Sequence, residues 1–125
     1  MPFHPLVSIV LGTRPEAIKL APVIKAFKAT KNLNTRILST GQHKELVEQV
    51  MKLFNLEIDK DLNIMRHNQS LHYISAAILT ALEDEFQEFK PNLILVQGDT
   101  SSAFTAALSG FYKGIPIGHI EAGLR

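Results

Sequence analysis

Four charged side chains stand where short apolar runs give way to polar segments: Arg14, Lys19, Asp99 and Glu121. Arg14 and Lys19 lie in GTRPEAIK at 12–19. A glycine turn, the N–H groups of a helix start and two cations suit a phosphate. The same residues also read as a plain helix start, with Thr13 and Glu16 forming a capping box and Lys19 solvated. Asp99, in QGDTSS at 97–102, is either the N-cap of the helix that follows or a functional carboxylate. Glu121 closes an apolar run before Ala122-Gly123, where a carboxylate is solvated, paired with a cation, or functional. Two carboxylates in one cleft suit proton transfer at carbon. Such transfer needs one group to act as base and another as acid. The histidines at 4, 43, 67, 72 and 119 show neither H-x-x-x-H nor H-E-x-x-H spacing, so no metal site is expected. His43, after Gly41-Gln42, contacts a ligand or closes a turn. His119 is expected to be a hydrogen-bonded core histidine, on one strand face with Ile117 and Glu121.

These residues must be positioned by alternating elements. Leu6–Leu11 and Leu93–Val96 read as buried strands, because they are apolar without alternation. Thr35–Thr40, ended by Gly41, is a further strand candidate, and Ile115–Glu121 gives the last strand. Helical spacing covers 15–30, with Ile18, Ala21, Ile24 and Phe27 on its apolar side and Pro22 expected to kink it or loosen its first turns. It also covers 44–54, with Leu46, Val50, Leu53 and Phe54 on one side, and the segment 101–112, which Gly114 closes. The clearest helix spans 71–90, with Ser70 as N-cap and a stripe of Leu71, Ile74, Ile78, Leu82, Phe86 and Phe89. Residues 59–69 are polar and irregular, with a short extended piece at 62–65. Strands and helices in alternation predict a doubly wound α/β domain with a parallel sheet covered on both faces. In the usual strand order the first and fourth strands are neighbours and the last lies beside the fourth, which brings Glu121 near Asp99. Ligands then bind beyond the carboxyl ends of the strands. The chain stops at Arg125, straight after a strand and its loop. It is therefore expected to be a piece of something longer.

Composition narrows the classes. Thirteen basic and twelve acidic residues leave a net charge of +1, which offers no footprint for nucleic acid or an anionic membrane. There is no cysteine, which excludes disulfides, a thiolate nucleophile and cysteine-based metal centres and fits a reducing cytosol. The start lacks a basic n-region, so no signal peptide is expected, and no apolar stretch approaches the roughly 18 residues of a membrane span. A soluble, cytoplasmic single domain is the expectation. G-x-G-x-x-G is absent, and no acidic residue closes the second strand, which disfavours a dinucleotide-binding dehydrogenase.

Read together, GTRPEAIK at 12–19, TGQH at 40–43, DLNIM at 61–65, QGDTSS at 97–102 and GHIEAGLR at 118–125 closely resemble the N-terminal part of non-hydrolysing UDP-N-acetylglucosamine 2-epimerases. The resemblance covers almost the whole chain. It implies a Rossmann-like domain, the N-terminal half of a GT-B fold, with the substrate in the cleft between two domains. It implies interconversion of UDP-N-acetylglucosamine and UDP-N-acetylmannosamine, feeding surface-polysaccharide synthesis, by elimination of UDP to 2-acetamidoglucal and re-addition at the opposite C2 configuration. Arg14 and Lys19 fall on positions that contact the nucleotide sugar, and Asp99 and Glu121 on acidic active-site positions. Gln42 and His43 match part of a site where some bacterial members bind a second UDP-N-acetylglucosamine as an allosteric activator. No metal or redox cofactor is implied, and the full-length form is expected to be a homodimer. Gln97 stands where many members have His, and Ser101-Ser102 where Thr is usual. The family's C-terminal domain, with much of the UDP site, has no counterpart in residues 1–125. A hydrolysing relative, a GT-B glycosyltransferase, and a non-catalytic domain that binds sugar nucleotide are the alternatives.

Overall fold

A computed structural model of the chain describes residues 3–64 and 68–121. The elements run β1 (Leu6–Leu11), α1 (Arg14–Lys28), β2 (Asn34–Ser39), α2 (Lys44–Leu53), β3 (Lys60–Asp61), α3 (Leu71–Glu88), β4 (Leu93–Gln97), α4 (Ser101–Lys113) and β5 (Ile117–Ile120). Among the described residues the strands form one parallel sheet in the order β3-β2-β1-β4-β5. The expected adjacency of β1 with β4, and of β4 with β5, is present.

β1 and β4 are buried on both faces, whereas no residue of β5 is buried. Val7, Ile9 and Leu11 of β1 pack with Ile37 and Leu95 against Ala17, Leu20 and Ile24 of α1 and Val47, Val50 and Met51 of α2. Val10, Leu38, Ile94 and Val96 pack on the other face against Ile74, Ile78, Leu82 and Phe86 of α3 and Ala103 and Ala106 of α4. This is the doubly wound Rossmann-like arrangement. Burial of apolar area on two faces at roughly 25 cal/mol per Å² drives it.

Helix ends follow their local chemistry. The Ser70 hydroxyl accepts from the Tyr73 N–H, and the Thr100 hydroxyl from the Ala103 N–H. Gly114 ends α4 in the left-handed conformation, φ +69°, which costs a glycine nothing.

Several expectations are corrected. The first turns of α1 are not loosened: the helix is continuous from Arg14 through Pro22, which is exposed. α2 buries Val47, Val50 and Met51, whereas Leu46 and Leu53 face outward. Leu71 and Phe89 end the α3 stripe exposed. The extended piece lies at Lys60–Asp61, where it pairs with Leu38 and Ser39, instead of at 62–65; position 65 is outside the described residues. Glu85 of α3 is buried, and its carboxylate takes Arg36 Nε at 2.5 Å and Nη2 at 3.1 Å. The Arg36 guanidinium lies 3.8 Å from the Phe89 ring centroid. Its pKa is raised, first by the hydrogen bond to Glu85 and then by the charge of that carboxylate, against the opposing pull of burial.

Candidate functional site

The carboxyl ends of β1, β2, β4 and β5 feed four short segments into one edge of the sheet. Their closeness depends on Gly12. A Cβ there would lie 2.2 Å from Ser102 Oγ and 2.4 Å from Thr40 Oγ1, so any side chain would push the three loops apart. The two hydroxyls are 2.9 Å apart, and Ser102 Oγ donates to Gln42 Oε1 at 3.0 Å. With its proton on Gln42, Ser102 accepts from Thr40. The chain of bonds locks the second loop to the start of α4.

Arg14 is the first residue of α1 and is exposed. Its backbone N–H reaches His43 Nδ1 at 3.4 Å, while the His43 N–H donates to Gly12 O at 2.8 Å. Gln42 and His43 therefore sit directly against the Gly12-Thr13-Arg14 turn. Glu16 takes the backbone donors of that turn: its Oε1 accepts from the Gly12 N–H at 2.7 Å and the Thr13 N–H at 2.9 Å. Those two N–H groups are occupied from within the chain, so a phosphate would be met here by the Arg14 side chain. Of the two readings of the turn, capping describes its backbone.

Lys19, one turn on, is paired. Its Nζ lies 2.8 Å from both carboxylate oxygens of Glu121. Gln97, only 4% exposed, donates from Nε2 to Glu121 Oε1. Glu121 has φ +66°, so the backbone leaves the extended region directly after β5. The side chain thus reaches back over β4 to α1. This corrects the expected alternation of Ile117, His119 and Glu121. His119 is corrected too: it is exposed, and its Nε2–H donates to Gly98 O at 2.6 Å.

Asp99 is exposed, and the N-cap of α4 is Thr100. The N-cap reading of Asp99 therefore gives way to a carboxylate in a loop fixed from both sides. The Gly98 N–H donates to Ile120 O at 3.1 Å, and Thr100 Oγ1 donates to Glu16 Oε2. No hydrogen bond or ion pair joins Asp99 to Glu121 among the described residues. The four predicted residues thus share one edge, with Lys19 and Glu121 in contact and Arg14 and Asp99 presented outward. Ala122-Gly123 and the end of the GHIEAGLR motif lie outside the described residues. No group of three His, Cys, Asp or Glu side chains able to hold a metal occurs among the described residues. A groove of about 720 Å³ runs along α2 and residues 55–58, but none of the four residues lines it.

The glutamines, hydroxyls and buried carboxylate that organise this edge are hard to find in sequence. Gln97 ending an apolar strand and Glu16 three positions after Thr13 were visible signals; the partners Thr40, Thr100 and Ser102 were not.

Residues 25–125 match the family model described as UDP-N-acetylglucosamine 2-epimerase. The chain belongs to the UDP-N-acetylglucosamine 2-epimerase family. It is 50% identical over 116 residues to the UDP-N-acetylglucosamine 2-epimerase of Neisseria meningitidis, covering 93% of this chain and 31% of the relative. It is 47% identical over 117 residues to that of Campylobacter jejuni, covering 94% and 30%. Among solved structures, the N. meningitidis epimerase bound to UDP-GlcNAc aligns with a TM-score of 0.90 at 49% identity, over 96% of this chain and 33% of that one. The S. aureus MnaA–UDP co-structure aligns at 0.91 and 43%, over 97% and 32%. A glycotransferase of kitacinnamycin, at 14% identity and a TM-score of 0.68, shares the fold alone. The chain spans about a third of the length of these epimerases, their N-terminal portion. No helix of this epimerase-family chain is long and apolar enough to cross a membrane among the described residues.

Proposed function

We propose that residues 1–125 are the N-terminal Rossmann-like domain of a non-hydrolysing UDP-N-acetylglucosamine 2-epimerase, one wall of a cleft whose other wall a second domain supplies. The observation that carries this is the gathering of Arg14, Lys19, Asp99 and Glu121 on the carboxyl edge of the sheet, in a chain of this family. Relatives solved with UDP-GlcNAc and with UDP support the substrate class.

In this reading the substrate's diphosphate meets the planar fork of Arg14 and the ammonium of Lys19. A carboxylate of the Asp99–Glu121 pair takes the proton from C2 as the C1–O bond to UDP breaks, giving 2-acetamidoglucal and UDP. Return of a proton to C2 from the opposite face, with attack of the UDP oxygen on C1, completes the inversion. No group enters or leaves overall, and the proposed chemistry calls for no metal or redox cofactor. Lys19 is already paired with Glu121, so a phosphate reaching its ammonium has a carboxylate to displace. Gln42 and His43, against the Arg14 turn, are assigned to a second, activating sugar nucleotide. The full-length protein acts as a cytoplasmic homodimer, without nucleic acid or membrane as a partner, and supplies surface-polysaccharide synthesis.

A proton NMR time course with UDP-N-acetylglucosamine tests this on the protein carrying its natural downstream sequence. Reversible appearance of UDP-N-acetylmannosamine supports it. Free N-acetylmannosamine with UDP would assign a hydrolase instead.

A further inference from the structure

α1 and α4 cover opposite faces of the sheet and belong to different core clusters. Their N-termini nevertheless carry the two residues that must face one substrate, Arg14 at the start of α1 and Asp99 just before α4. One side chain bridges them. Glu16 is 2% exposed, and its carboxylate accepts from three donors: the N–H groups of Gly12 and Thr13, at 2.7 and 2.9 Å, and the hydroxyl of Thr100. A capping carboxylate satisfies the N–H groups of its own helix. Glu16 does that with one oxygen and spends the other on the N-cap residue of a second helix.

We propose that Glu16 is a positioning residue, whose carboxylate sets the spacing between the start of α1 and the start of α4 and thereby the placement of Arg14 relative to Asp99. The Thr100 hydroxyl is fixed at both ends, donating to Glu16 and accepting from the Ala103 N–H at 3.1 Å. Any slack at Glu16 therefore passes to the residue preceding Thr100, which is Asp99. Removing the carboxylate also strands two buried N–H donors, which then compete for the anion that Arg14 is there to receive. The proposal rests on the assignment of Arg14 and Asp99 to the substrate.

The test uses the full-length protein, with epimerisation followed by proton NMR. Glu16→Gln keeps an oxygen for the two N–H groups and an amide for Thr100, and should stay within about fivefold of wild type. Glu16→Ala should lower kcat/KM by about 100-fold, the scale of a misplacement of about 1 Å. Added formate, which fits the vacated carboxylate position, should restore about tenfold of that loss. Glu16→Ala within about threefold of wild type, or Glu16→Gln as impaired as Glu16→Ala, overturns the assignment. If Glu16→Ala does not fold, Thr100→Val against Thr100→Ser asks the question from the other end: Val should lose and Ser should recover, and equal rates overturn it. A wild type that does not epimerise contradicts the proposed activity and not this role. UDP affinity then decides: a change of about tenfold in Glu16→Ala that Glu16→Gln reverses supports the role, and equal affinity in all three overturns it.

Discussion

Gly12→Ala is the smallest change that should disturb the whole edge. The new methyl would stand 2.2 Å from Ser102 Oγ and 2.4 Å from Thr40 Oγ1, against an ordinary carbon–oxygen contact of roughly 3.3 Å. Each hydroxyl must retreat by about 1 Å, and their mutual hydrogen bond, 2.9 Å long, is the space the methyl takes. Rotating Ser102 does not suffice, because its Cβ already lies 3.0 Å away. Overpacking a tight site costs about 1–3 kcal/mol, and a buried hydroxyl left without a partner a further 1–3. A loss of about 3 kcal/mol in urea unfolding is therefore expected, with turnover of the full-length protein down about 100-fold because the Arg14 turn moves. Ser102→Gly in the same chain removes two of the three clashes and should return part of the stability. An unchanged urea midpoint and unchanged turnover in Gly12→Ala would refute the claim that this glycine sets the loop spacing.

Arg14→Ala should weaken UDP binding most at low salt, with Arg14→Lys recovering only part, as isothermal titration at two ionic strengths will show; equal affinity would return Arg14 to a surface role. Glu85→Ala leaves the Arg36 guanidinium unpaired beneath Phe89 and should cost about 3 kcal/mol in urea unfolding, whereas a loss below about 0.5 kcal/mol would mean that the pair is solvated. The 125-residue chain, assayed at high concentration against the same chain with its natural downstream sequence, should show no turnover, because positioning and donors aimed at the departing UDP come from both walls of the cleft.

How much was legible in the sequence follows from which forces are local. The strands LVSIVL and LILV announced themselves because burial on both faces removes alternation, and their adjacency followed from the usual winding order. Ser70 and Gly114 were readable because caps are one-residue chemistry. The face of α2 was not, since Leu53 is as apolar as Val47 and only the tertiary fold says which one meets the sheet. Glu85 reads as one more surface carboxylate until Arg36, 49 positions earlier, arrives beside it. At the site, the motifs and the family resemblance they carry singled out Arg14, Lys19, Asp99 and Glu121, whose residue types alone left helix capping open. The bonds that hold them were invisible because they join positions far apart in the chain: Glu16 to Thr100, Thr40 to Ser102, and Gln97 to Glu121. His119 was misplaced for a related reason. Alternation assumes the strand continues, and the backbone turns at Glu121, φ +66°.

In the proposed reaction the carboxylates on this edge move the C2 proton of a UDP-linked N-acetylhexosamine. Exchange in deuterium oxide tests it directly, by NMR or mass spectrometry of UDP-N-acetylglucosamine incubated with the full-length protein. The wild type should place deuterium at C2 of both epimers as they interconvert. Asp99→Asn and Glu121→Gln should each slow that incorporation by about 100-fold or more, the scale of a lost acid–base group, while their unfolding midpoints stay within a few degrees of wild type, about 1 kcal/mol or less. Interconversion without deuterium at C2, or incorporation at the wild-type rate in both variants, would contradict the account.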